Sequence, residues 1–235
     1  MDGYFLTADL LGFRNIVKNS SDDELSARVT KWISLVEASA TDPSVRQIQL
    51  ISDTVFAACE SSAEGLSAIV SFARSLLQNG ASASLPVRGA ITHGSFEWGK
   101  LTYGKAVIKS HQLESNQDWI GIACDNAMPH LESMWHHDRL ICYPPPLKTG
   151  SVMLSPVVAW DVPAFEELTA ALTSNGLTSK GEHLSWPWAQ KVRNTVEFGV
   201  YLKMVRESKI DPGKFVGLLP IQLIALNVQH QERNA

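Results

Sequence analysis

The chain has 235 residues, 45% hydrophobic and 19% charged, the composition of an ordinary globular protein built as one large domain or one domain with an extension. Its formal net charge of −4 gives no basic footprint for nucleic acid or a membrane surface, and no run reaches the roughly 20 apolar residues of a membrane span. Three scattered cysteines, Cys59, Cys124 and Cys142, with no CxxC pair, and a start without the basic region of a signal peptide point to reduced thiols in a cytoplasmic protein rather than a disulfide frame or a zinc site.

The first element is a strand at about 3–10, aromatic and branched, with one carboxylate, Asp9, just before Gly12 and after an apolar run. A glycine-containing turn follows. Ser21 and Glu24 then form a capping box, and Leu25, Val29, Trp32, Ile33 and Val36 recur at helical spacing. Thr41-Asp42-Pro43-Ser44 breaks that helix. Arg46 to Cys59 spells two strands folded about Ser52-Asp53, so a second lone acid sits at a hairpin tip. Ala63, Leu66, Ile69, Val70, Ala73 and Leu77 mark a second amphipathic helix that Asn79-Gly80 is expected to end.

Pro86 to Gly94 is a strand entering a hairpin through Glu97-Trp98-Gly99, and Tyr103-Gly104 leads into a helix to about Asn116. A strand at Trp119–Ala123, a helix capped by Asp125 and a strand at Leu140–Tyr143 complete this part. The order β-α-β-β-α-β predicts an α+β fold: a mixed sheet with helices on one face, on the ferredoxin-like plan. Pro144-Pro145-Pro146 marks a boundary, giving a core at 1–146 and a helical extension at 147–235 packed on it. The extension is expected to hold a strand within Val152–Trp160, a helix near 163–173, a polar loop at Thr173–Glu182, a turn at Trp186-Pro187-Trp188, and helices near 190–208 and 212–229.

A buried carboxylate without a partner costs several kcal/mol, so each acid in an apolar run needs something opposite it. Singly, Asp9 and Asp53 are as readily turn caps as ligands; together, they are the simplest way to bring two carboxylates to one divalent metal. His93, His111 and His136-His137 lack metal-ligand spacing, and no P-loop or GxGxxG is present. Arg88 is most simply a strand arginine paired with an acid, and the Trp186–Trp188 cluster is packing.

Four segments in order resemble the class III nucleotidyl cyclases. Phe5-Leu6-Thr7-Ala8-Asp9-Leu10-Leu11-Gly12-Phe13 is similar to the F-x-D-[IL]-x-G-F opening, and Leu50-Ile51-Ser52-Asp53-Thr54-Val55-Phe56 to the second metal motif. Val87 to Gly94 resembles the h-R-x-G-I-x-x-G strand with one residue pair displaced, and Tyr103 to Ser115 resembles the start of the following helix. The match covers roughly 4–124 and leaves the C-terminal third outside. Within that family the chain most resembles the stand-alone pyrimidine cyclases of the bacterial Pycsar antiphage system.

The resemblance implies conversion of UTP, or alternatively CTP, to the 3′,5′-cyclic monophosphate and pyrophosphate, a signal read by a separate effector. It implies two Mn²⁺ or Mg²⁺ ions per site, held by Asp9, Asp53 and the carbonyl of Leu10. The amides of Leu11, Gly12 and Phe13 would cradle the phosphates, with Phe5, Gln49, Leu50 and Arg88 around the nucleotide. It also implies a homodimer, because such sites are shared between two domains. Where purine cyclases carry a base-reading Lys or Glu this chain has Gln49, and their helix-borne Asn and Arg fall at Ile108 and Gln112. Lys105, Lys109, His111 or Arg88 are left to supply the transition-state charge. A catalytically silent nucleotide-binding module is the competing expectation.

Overall fold

The computed structural model describes residues 1–174 and 186–215. In chain order the elements are β1 (Asp2–Leu10), α1 (Phe13–Asn19), α2 (Asp22–Ser39), β2 (Gln47–Ile51), β3 (Thr54–Glu60), α3 (Ala63–Ser82), β4 (Val87–Glu97), β5 (Tyr103–Gly104), α4 (Lys105–Asn116), β6 (Gly121–Cys124), a 3₁₀ turn (Leu131–Met134), β7 (Leu140–Tyr143), β8 (Ser155–Val158), α5 (Phe165–Ser174) and α6 (Trp186–Glu207). The strands form one mixed sheet in the order β2-β3-β1-β4-β6-β8-β7, with β5 hairpinned onto β4. The α+β class and the mixed sheet are as the sequence predicts.

β1 is the axis. It pairs antiparallel with β3 on one side and β4 on the other, and β4 pairs parallel with β6. Alternation along β1 sends Tyr4, Leu6, Ala8 and Leu10 into the large core, where they meet Leu66, Ile69 and Ala73 of α3 and Trp32 and Val36 of α2. Phe5 and Thr7 point to the other face, which α4 crosses: Phe5 joins a second cluster with Ala58, Phe96 and Ala106, and the hydroxyls of Thr7 and Ser110 lie 2.6 Å apart. The expected helix to Asn116 thus lies on the face opposite α2 and α3, which corrects the expectation of helices on one face.

The capping box of α2 is present, with Ser21 Oγ accepting from the Glu24 amide and the Glu24 carboxylate accepting from the Ser21 amide. Its buried face is Trp32, Leu35, Val36 and Ser39; Ile33 turns outward. α1 is an extra helix with only Ile16 buried, too short to leave a periodic pattern.

Four further expectations are corrected. α3 does not stop at Asn79-Gly80 but runs to Ser82, and Gly80 serves close approach: a Cβ there would lie 2.6 Å from the Leu85 carbonyl oxygen and 3.0 Å from Val87 Cγ2. Asp125 caps a turn, not a helix, its carboxylate accepting from the Ala127 amide at 3.3 Å. Trp186-Pro187-Trp188 is the first turn of α6, where a proline fits because its missing N–H is an orphan in any helix. Residues 147 onward also contribute to the sheet, since β8 lies between β6 and β7 and pairs with both. The expected boundary at 146/147 falls between β7 and β8. Most of the expected Thr173–Glu182 loop and of the helix near 212–229 lies outside the described residues.

Alanine is normally the better helix former by about 1 kcal/mol, yet Gly80→Ala is expected to destabilise the fold by about 1–3 kcal/mol, because backbone has to shift to admit the methyl. A thermal melt checks it, with exposed Ser82→Ala as a neutral comparison. A Gly80→Ala melt at or above wild type would show that the Leu85 turn moves aside freely.

Candidate functional site

The last residue pair of the β1–β3 ladder sets Asp9 opposite Thr54, and Asp53 lies one residue beyond it in the two-residue turn. Ser52 makes that turn tight by adopting φ +58°, in the left-handed region. The Asp53 carbonyl then accepts from the Leu10 amide at 3.3 Å, which fastens the turn to the end of β1. The two expected acids are therefore neighbours, as the hairpin reading required. Thr54 Oγ1 donates weakly to Asp9 Oδ1 at 3.4 Å.

Electrostatics at this point are unfavourable to charge. The Asp9 carboxyl is pushed up to about 7, first by burial, then by the negative charges of Asp53 and Glu114 and a hydrogen bond with Asp53; the Arg88 guanidinium opposes the rise. An all-oxygen pair of mutually repelling carboxylates suits a hard divalent cation. Among the described residues no group of three or more metal-binding side chains occurs. Two carboxylates are nevertheless enough for Mg²⁺ or Mn²⁺, which take remaining ligands from water and phosphate oxygens. The donor set fits.

Arg88 is Asp9's register partner on β4. It is not free: its Nε and Nη2 reach Glu114 Oε1 at 2.6 and 2.5 Å, and its Nη1 donates to the Gln117 carbonyl at 3.1 Å. Both members of the pair are buried. Gln117, fully buried, donates Nε2 to the Gly89 and Leu113 carbonyls and accepts from Trp119 Nε1 at 2.7 Å. This network locks the C-terminal end of α4 to the strand beside Asp9. Glu114 is the residue the sequence reading missed. The signal was the fourfold spacing Ala106, Ser110, Glu114, the inward stripe of α4.

The other expected site residues divide. The carbonyl of Leu10 sits at the strand end beside the acids, its side chain buried. Gly12, at φ +85°, caps α1, and no side chain caps that helix end, so the Phe13 and Arg14 amides keep no intrahelical partner. The Leu11 amide, by contrast, is taken by the Pro86 carbonyl at 2.9 Å. Gln49 shares the Asp9 face and its Oε1 accepts from Thr102 Oγ1 at 3.2 Å. Leu50 turns to the opposite core, and Phe5 is sealed among Phe56, Phe96 and Trp98. Ile108 and Gln112 stand exposed on the outer face of α4.

No family model matches the sequence, and no curated protein matches it. Solved structures do. A bacterial light-regulated adenylyl cyclase superposes with a TM-score of 0.55 at 12% identity, covering 74% of this chain and 97% of the other. The guanylate cyclase domain of RhGC from Catenaria anguillulae, in complex with GTP, gives 0.52 at 14% identity over 67% and 96%. The guanylyl cyclase domain of the RhoGC fusion protein from the aquatic fungus Blastocladiella emersonii, solved as a monomer and as a dimer, gives 0.53 at 16% identity over 67% of this chain. The chain has the fold of nucleotide cyclase catalytic domains. Among the described residues, no helix is long and apolar enough to cross a membrane.

Two outcomes are expected. Glu114→Ala strands the Arg88 charge in a buried position and is expected to destabilise by about 3–5 kcal/mol, measured by urea unfolding; Glu114→Ala with Arg88→Met should recover much of that. For Asp9, the folded chain holds the proton more tightly than an unfolded one. The metal-free fold therefore loses stability as pH rises from 3.8 to about 7, and the loss is complete above that. Metal binding has to displace this proton: calorimetry in buffers of different ionisation enthalpy should find about one proton released per site at about pH 6 and nearly none at about pH 8.5. Release that does not change between the two would refute the assignment.

Proposed function

We propose that this chain is a class III nucleotidyl cyclase that converts UTP to 3′,5′-cyclic UMP and pyrophosphate as an antiphage second-messenger signal. The observation that supports the reading best is the Asp9–Asp53 pair at the end of the central strand of a cyclase catalytic fold. The neighbours' names concern adenylyl and guanylyl cyclases, so the choice of a pyrimidine rests on the sequence: Gln49 in place of an acidic or basic base reader, and the motif variants around Arg88 and Tyr103.

In this reading the Asp9 and Asp53 carboxylates, with the Leu10 carbonyl, hold two Mg²⁺ or Mn²⁺ ions. When bound, such ions acidify the ribose 3′-hydroxyl and offset charge on the departing pyrophosphate. The chain's own groups do the orienting. The Gly12 and Phe13 amides face the phosphates at the left-handed turn, while the Leu11 amide is already bonded and drops out of that role. Gln49 keeps its Nε2 for the O2 or O4 edge of the base, because its Oε1 is held by Thr102. Arg88 acts through Glu114 rather than on phosphate.

The transition-state charge narrows to two side chains. Arg88 is committed to Glu114, and Lys109 to Asp125 at 2.5 Å. Lys105 and His111 are exposed on α4. In this reading such a side chain serves the triphosphate of a second copy, so the site is shared across a homodimer. Exposed Ile51, two residues before Asp53, with Leu101 on the β4–β5 loop and Tyr103 in β5, supply apolar surface for such pairing. The second reading, a catalytically silent nucleotide-binding module, draws on Ile108 and Gln112, which bring neither an Asn nor an Arg to the outer face of α4. A cytidylate cyclase is the nearest alternative in substrate.

Purified protein incubated with each of the four NTPs and Mn²⁺, with products read by mass, is expected to form cyclic UMP from UTP. Asp53→Ala should abolish it with the fold intact by circular dichroism. Cyclic CMP as the main product would move the substrate assignment, and no cyclic product from any NTP would leave the silent-module reading.

A further inference from the structure

A cavity of about 310 Å³ between α3 and the segment entering β7 takes no part in the chemistry above. Ser71, Arg74 and Ser75 line it from α3, and His136, Asp138 and Arg139 from the other side. Because α3 packs on the sheet face of Leu6 and Ala8, the cavity lies across the sheet from Asp9.

Its charges do not cancel. Two guanidiniums, Arg74 and Arg139, and one carboxylate, Asp138, line it, and Arg206 and Asp161 join the ion pairs of Asp138 and Arg74. Arg206 takes both carboxylates, at 2.8 and 2.7 Å. Arg74 is left 3.8 Å from each, with its Nε on the Ala159 carbonyl at 3.2 Å. Among the described residues Arg139 has no carboxylate within 4.0 Å, and its side-chain hydrogen bond goes to Met134 Sδ, a weak acceptor, at 3.7 Å. His136 uses Nδ1 to accept from the Asp138 amide at 3.2 Å, which turns Nε2 away from that bond. Among the described residues the hydroxyls of Ser71 and Ser75 hold no hydrogen bond. On a chain of net charge −4, a concave site with surplus guanidinium and unspent hydroxyl donors is chemically specific.

We propose that this cavity binds a small phosphate-bearing ligand, with the phosphate between Arg139, Arg74 and the two serine hydroxyls. Guanidinium forks match phosphate oxygens in pairs, which a lone ammonium does not. The volume suits a phosphate with a nucleoside-sized group attached, at the small end of ligand pockets. The inference stands apart from the cyclase reading, since none of these residues is near the carboxylate pair.

The full chain is titrated by calorimetry, with EDTA present to silence the carboxylate pair, using inorganic phosphate, pyrophosphate, uridine monophosphate and adenosine monophosphate. At least one probe is expected to bind the wild type; Arg139→Glu should weaken it by about tenfold or more, and Arg139→Lys by less, while Asp53→Asn leaves it unchanged. Arg139 is exposed, so its substitution should leave the melting temperature in place, which a melt verifies. Tighter binding of a monophosphate than of inorganic phosphate assigns the remaining volume to a nucleoside; equal binding assigns the site to phosphate alone. No binding of any probe, a dissociation constant unchanged in Arg139→Glu, or one weakened only in Asp53→Asn would overturn the proposal.

Discussion

Two carboxylates held in contact, one at the half-buried end of a central strand and one in the turn beside it, are the constraint that the rest of this site answers. Asp9 cannot move away, because β1 is bonded on both edges and a one-residue slip would turn its side chain into the α3 core. Asp53 cannot retreat either, since its own backbone carbonyl fastens the turn to Leu10. The repulsion is stored in the fold, and Asp9 relieves it by keeping a proton into the neutral range. A cation relieves it better.

Around this pair the polar groups are satisfied with some care. Arg88, Glu114, Gln117 and Trp119 form a closed network in which each buried donor and acceptor of Gln117 has a partner. Such a network fixes one packing of α4 against the sheet, because any shift strands a buried charge or amide. The helix that carries Lys105 and His111 outward is thereby set at a definite height over Asp9.

Much of this was legible in the sequence. A lone acid in an apolar run is a conspicuous pattern break, so Asp9 and Asp53 stood out, and the two-residue turn between branched runs gave the geometry that joins them. Strand alternation and the capping box at Ser21 located most elements. What was hidden is tertiary. Gly80 looks like a helix stop in sequence and is a contact point in space. Glu114 was visible only as part of a motif, because the arginine it neutralises lies 26 residues earlier on another element. The Leu11 amide looked free until Pro86 came to lie beside it. α1 buries a single side chain and leaves no periodic trace.

The place of β8 also orders events along the growing chain. β7 is synthesised before β8, yet β8 is the strand that separates β7 from β6. Strands in a sheet sit about 4.8 Å apart, so until β8 arrives β6 has an open edge and β7 has no neighbour to dock on. In the finished fold the loop between them is anchored by the Asp118 amide on the Pro146 carbonyl and the Lys148 amide on that of Asn116. The half of the sheet that brings Asp9 and Asp53 together is complete by Glu97 and is free to form first. The outer half has to wait for a strand that emerges late.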